Sequence, residues 1–155
     1  MPKKKWSELT TMQIGRYAEY YAKMEFTSYG WEVYTSEVDD HGVDFVAKNP
    51  ENNRFYEIQV KAARKAQQIF ISKDKMPVES LEHRLIAFLF FKDSCDPSFY
   101  VIPGTEWKKP TPVLVDYKYD KPGQKSSPEW AINVTEKNLL LLEPYRVETM
   151  LEGYE

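Results

Sequence analysis

The chain has a single cysteine, Cys95, in 155 residues. An internal disulfide is therefore excluded, and a reducing compartment is the natural setting. Its two histidines, His41 and His83, with that one thiol, do not make a structural zinc set. Six scattered glycines form no phosphate-cradling loop, and no Walker pattern or G-x-S-x-G elbow appears. Long hydrophobic runs are missing too. Leu85 to Phe91 is the most apolar stretch and is short enough to be a buried strand, and Leu139 to Leu142 is shorter. Neither approaches the length of a membrane span. No apolar run follows the basic start Met1-Pro2-Lys3-Lys4-Lys5-Trp6, so no signal peptide is expected. The expected location is cytoplasmic. Basic charge is not in excess: the net charge is −3, with a pI near 5.5. That weighs against strong autonomous binding to nucleic acid, although local patches matter more than the total.

What is present is the composition of a folded domain. With 42% hydrophobic and 29% charged residues and no low-complexity tract, residues 1–155 are expected to form one globular domain. Residues 1–10 read as a loose polar arm and 146–155 as an acidic helical tail. Aromatics reach 15%, mostly tyrosine, which marks a thick core, a stacking surface or an interface.

The first element reads as a helix capped by Thr10 or Thr11, running to about Ser28 and stopped by Gly30. Gly15, Glu19, Ala22 and Phe26 fall on one face, with Ile14, Ala18 and Tyr21 as a second apolar line. Trp31 to Thr35 alternates as a strand. Asp39 and Asp40 read as turn formers before the next strand, and His41 as an exposed loop histidine. Gly42 to Ala47 and Phe55 to Lys61 read as strands joined by the turn Asn49-Pro50-Glu51-Asn52-Asn53. Further strands are expected at 69–72, 85–91 (an interior strand covered on both faces), 98–102 and 129–134. His83, after a helical turn at 77–82, reads as structural. Residues 108–128 read as a long connection suited to a substrate loop.

The hairpin is the centre of the sequence. Period-two alternation puts Glu57, Gln59 and Lys61 on one face of their strand and Tyr56, Ile58 and Val60 on the other. The turn then brings Asp44 close to Gln59 and Lys61. One reading is a solvated sheet face with a lysine–carboxylate pair. The other is a metal site, in which a carboxylate and a second oxygen hold a hard cation such as Mg²⁺, while a lysine steadies the attacking water or the growing phosphate charge. Arg64 and Lys65, after the small residues Ala62 and Ala63, would let a phosphate backbone approach closely, or they form an ordinary solvated turn.

Gly15 and Glu19 on the first helix, Gly42 and Asp44 on the second strand, and Gln59 and Lys61 on the third resemble the PD-(D/E)XK nuclease superfamily, in particular its Holliday-junction-resolvase-like and methyl-directed restriction branches. The resemblance covers about residues 12–63 and rests on the order and spacing of short motifs. Gln59 departs from the commonest pattern, which has Asp or Glu there, although some restriction-like branches carry Gln. The resemblance implies a restriction-endonuclease-like α/β core, a mixed central sheet flanked by helices. It also implies a Mg²⁺-dependent endonuclease acting on DNA, with Mn²⁺ as a substitute. Glu19, Asp44, Gln59 and Lys61 would be catalytic. Asp44, Gln59 and the Val60 backbone carbonyl would bind the metal, with Glu19 as a further candidate. Glu57 is added to that set from strand geometry alone. Gly15, Arg64 and Lys65 would face the nucleic acid. A homodimer would suit cutting of both strands. The alternative is a catalytically silent nuclease-like module that binds nucleic acid or a partner protein.

Overall fold

The first helix forms where a capping box can close. In the computed structural model, which describes residues 4–35 and 42–152, the Thr10 hydroxyl accepts from the Gln13 N–H and the Gln13 side chain accepts from the Thr10 N–H. These bonds satisfy two donors that a helix start leaves open. Helix α1 (Thr11–Ser28) buries Ile14, Ala18, Ala22 and Phe26. It ends at Gly30, whose φ of +88° is the left-handed conformation glycine adopts without strain. The expected face is thus rotated slightly. Gly15 is exposed and Glu19 half-buried at its edge, because four residues spaced for burial, not the Gly15–Glu19 line, meet the sheet.

The strands are β1 (Glu32–Thr35), β2 (Phe45–Lys48), β3 (Phe55–Ala63), β4 (Gln67–Ser72), β5 (Arg84–Phe90), β6 (Ser98–Pro103), β7 (Leu114–Tyr117) and β8 (Glu129–Val134), followed by the short helices α2 (Glu136–Leu139) and α3 (Val147–Glu152). The central sheet has the order β1-β2-β3-β5-β6. It is mixed: β3 and β5 run parallel, and its other pairs are antiparallel. β4, β8 and β7 make a separate antiparallel sheet.

The molecule is therefore three layers deep. One core lies between α1, α3 and the central sheet and gathers Phe26, Phe45, Ile58, Leu85 and Val101. The other lies between the two sheets and gathers Ile71, Ile86, Phe88, Trp107 and Ile132. β5 supplies side chains to both, which is why its sequence is apolar almost throughout. This mixed α/β architecture, a five-stranded sheet flanked by helices, is the expected fold class.

Two segments differ from expectation. Residues 4–10 are not a loose arm: Trp6 is buried, its indole N–H donates to the Cys95 carbonyl at 2.8 Å, and its ring meets Tyr17 and Phe91. Burial of an indole outweighs the polar character of the residues around it. The connection 108–128 contains a strand, β7, whose Leu114 is buried together with Val113 just before it. The predicted late strand forms over the expected residues as β8, the middle strand of the second sheet. The acidic tail is helical over α3 and packs Val147 and Leu151 into the first core.

Candidate active site

β2 and β3 pair from Phe45↔Ile58 to Lys48↔Phe55, and the ladder then changes character. The Asp44 N–H still donates to the Ile58 carbonyl at 2.8 Å. The next inward donor, the Val60 N–H, is taken by the Asp44 side chain: Oδ2 accepts it at 2.6 Å. A carboxylate thus replaces a backbone carbonyl where the strand peels away, and the charge-assisted bond holds it at the sheet's edge. The N–H and C=O of one strand residue point to the same side, so the Val60 carbonyl opens toward Asp44 as well.

Gln59 and Lys61 lie opposite Ile86 and Phe88 of β5, two residues of the inter-sheet core. They point to the face away from α1, as period two requires. Gln59 is buried and Lys61 half-buried. Burial pushes the Lys61 ammonium below the ordinary lysine range; the Asp44 charge opposes this and the nearby Lys75 reinforces it.

Two residues of this cluster were not singled out from the sequence. Arg84 opens β5 and is almost fully buried. Its Nη1 donates to Gln59 Oε1 at 3.4 Å, and its Nη2 lies 3.6 Å from Glu57 Oε1. Burial lowers the Arg84 pKa, while Glu57 and Asp44 support its charge. Lys75 comes from the turn after β4 and crosses the Gly42 loop so closely that a Cβ at Gly42 would meet Lys75 Cβ at 3.1 Å and Gln59 Nε2 at 3.3 Å. Gly42 has φ +72°, so both space and backbone call for glycine. A signal for Arg84 was present: an arginine heading an apolar run bound for two cores needs partners.

The remaining expected site residues are distributed differently. Glu57 contacts His83 Nε2 at 3.2 Å as well as Arg84, which engages its carboxylate away from Asp44. His83 is therefore an exposed partner of Glu57. Glu19 pairs with Lys23 at 3.1 Å and belongs to α1, on the other face of the sheet from Gln59 and Lys61. Arg64, expected to meet a phosphate backbone, donates Nη1 to the carbonyls of Trp6 and Leu9 at 2.9 and 2.7 Å. Two carbonyls of the folded N-terminal segment need that donor. Lys65 is exposed. His41, Asp39, Asp40 and Lys3 lie outside the described residues.

At the end of β3 these elements border a cleft of about 520 Å³ lined by Gly15, Val60, Lys61, Arg64 and Lys65 among others. A cation beside the bond from the Val60 N–H to Asp44 would meet the Asp44 carboxylate and the Val60 carbonyl. Among the described residues no group of three or more His, Cys, Asp and Glu forms a ready-made cage. This donor set fits a hard ion that keeps most of its coordination as water, which is the habit of Mg²⁺.

Comparison with known proteins gives a fold-level likeness. No protein-family model matches the chain, and no curated protein matches it. Among solved structures, it is similar to a Holliday junction resolvase from Archaeoglobus fulgidus at 16% identity and TM-score 0.48, over 82% of this chain and 88% of the other. It is also similar to a bacterial homing endonuclease at 18% identity and TM-score 0.47, over 88% and 94% of the two chains. A likeness of this degree does not decide function, which is argued from the side chains. Among the described residues no helix is long and apolar enough to cross a membrane.

Proposed function

We propose that the protein is a nuclease that hydrolyses DNA phosphodiester bonds with Mg²⁺, or with Mn²⁺ in its place. One observation carries the reading: the Asp44 carboxylate is pinned by the Val60 N–H, close enough to Lys61 for its charge to act on that ammonium, and Val60 and Lys61 in turn line a cleft with Gly15, Arg64 and Lys65. A carboxylate and a partly desolvated ammonium, held together where the β2–β3 pairing ends, are groups that hydrolysis of a phosphodiester uses.

Asp44 and the Val60 carbonyl would hold the cation, which supplies Lewis acidity and a more acidic bound water. The chain's own residues do the rest. Lys61 Nζ orients the attacking water or donates to a non-bridging phosphate oxygen, and its lowered proton affinity suits either role. Gly15 carries no side chain, and open space surrounds the position of its absent Cβ, so a phosphate backbone can come close to α1. A homodimer would place one such site against each strand of a duplex.

The test is cleavage of a DNA panel (linear duplex, single-stranded, branched, methylated) with Mg²⁺ or Mn²⁺, beside Asp44→Ala and Lys61→Ala. Metal-dependent cutting lost in both variants supports the reading. An intact panel, with no metal binding that depends on Asp44, overturns it. The second reading, a silent nuclease-like binding module, is favoured by the engagement of Glu57 with Arg84 and of Glu19 with Lys23. DNA binding without cutting would select it.

A further inference from the structure

Gln59 occupies the position where a nuclease of the proposed kind most often has a carboxylate. We infer that Arg84 is the reason: it is a positioning residue that holds the Gln59 amide by its oxygen, turns the amide nitrogen toward Gly42, and supplies the site with a fixed buried cation. This rests on the nuclease reading of the site, and its test does not.

The geometry is specific. Arginine has only donors, so the Gln59 atom facing Arg84 Nη1 at 3.4 Å is the acceptor Oε1. The other amide atom, Nε2, then faces the Gly42 loop. Gln59 Oε1 is thereby directed at the Arg84 cation. Arg84 is 3% exposed and Gln59 6%, so neither side chain can turn to solvent to exchange partners. The Arg84 Nε–H is buried without a hydrogen-bond partner. The guanidinium is therefore under-satisfied and takes whatever acceptor position 59 offers. A glutamate at 59 would form a charge-assisted pair with Arg84, and its carboxylate would be lost to a metal. With an amide, Arg84 meets no carboxylate from position 59 and keeps Glu57 as its charged partner. Glu57, 3.6 Å from Nη2, fixes the guanidinium from the other side.

The experiment is Gln59→Glu, with melting temperature measured at pH 7 and Mn²⁺ binding followed by calorimetry. If Arg84 owns position 59, the new carboxylate raises the melting temperature at pH 7. Mn²⁺ affinity stays within about twofold of the parent protein, since the carboxylate is engaged by Arg84. Adding Arg84→Gln to Gln59→Glu frees the carboxylate and strengthens Mn²⁺ binding by about tenfold or more. A Gln59→Glu protein that melts lower at pH 7 places position 59 under the influence of Asp44 instead and overturns the inference. So does a gain in Mn²⁺ affinity from Gln59→Glu alone. The single variant decides the matter even where the double variant does not fold. These readouts need no cleavage: a positive melting result with no nuclease activity would defeat the nuclease reading and leave the Arg84–Gln59 relationship standing.

Discussion

The Asp44 carboxylate accepts the backbone N–H of Val60 at 2.6 Å, so the residue expected to bind a metal also closes the last rung of the β2–β3 hairpin. The two roles separate by substitution. Asp44→Asn keeps an oxygen for the Val60 N–H and loses the charge, whereas Asp44→Ala leaves the donor without its partner. The expected cost of the alanine variant is about 1–3 kcal/mol of stability, with the asparagine variant well below that. On the proposed function, both are expected to abolish cleavage. Urea unfolding beside a cleavage assay checks this; equal destabilisation by the two variants would refute the structural role.

Lys61 contributes with the opposite sign. Burial depresses its folded pKa below the ordinary lysine value, against the pull of Asp44. A cation depressed in this way costs stability wherever it is protonated in the fold. The cost is fully present below the folded pKa and fades as pH rises from there to the unfolded value. Lys61→Met is therefore expected to melt higher than the parent at neutral pH, with a margin that narrows in the alkaline range, and to be inactive. Thermal melts from pH 7 to pH 10 measure it.

Gly15 offers a sharper separation of stability from function. It sits within α1, and nothing lies within 4 Å of the position a Cβ would take. Gly15→Ala should stabilise the helix by about 0.5–1 kcal/mol, from propensity alone. If a phosphate backbone passes over this point, the same methyl group weakens binding to DNA. A variant that is more stable and binds as tightly as the parent would remove Gly15 from the interface.

The N-terminal segment is expected to be integral to the fold. Trp6→Ala should cost about 3–5 kcal/mol, a large share of a domain's stability. Arg64→Ala, which releases the Trp6 and Leu9 carbonyls, should loosen the same segment. Guanidinium unfolding and limited proteolysis at residues 4–10 report the two effects. A Trp6→Ala protein that unfolds at the parent's denaturant midpoint would contradict the packing seen here.

Much of this architecture was legible because local rules and tertiary packing agreed. The α1 start, the Asn-rich hairpin and the apolar β5 follow from capping, turn chemistry and two-sided burial. Period two alone placed Gln59 and Lys61 on one face with Asp44 near. The misread parts depended on distant partners. Trp6 looks like a polar-arm residue until Phe91 and the Cys95 carbonyl come beside it. Arg64 looks like a phosphate ligand until the carbonyls of Trp6 and Leu9 are placed within its reach. β7 is four residues long in a stretch rich in Pro and Lys, too short for its own alternation to declare it. Arg84 carried a sequence signal, but its partners Gln59 and Glu57 lie on a neighbouring strand and only the register reveals them.

The parallel pairing of β3 with β5 has a consequence for how the chain folds. The connection between these strands carries β4, the turn with Lys75, and the 3-10 segment Val78–His83. Closing that loop costs chain entropy before any contact repays it. The crossover delivers a strand of the outer sheet and a lysine that packs beside Gly42 and near Lys61 in the same excursion. Docking of the outer layer and completion of the cationic pocket should therefore occur in one kinetic phase of refolding, with no collapsed state that holds the pocket without that layer.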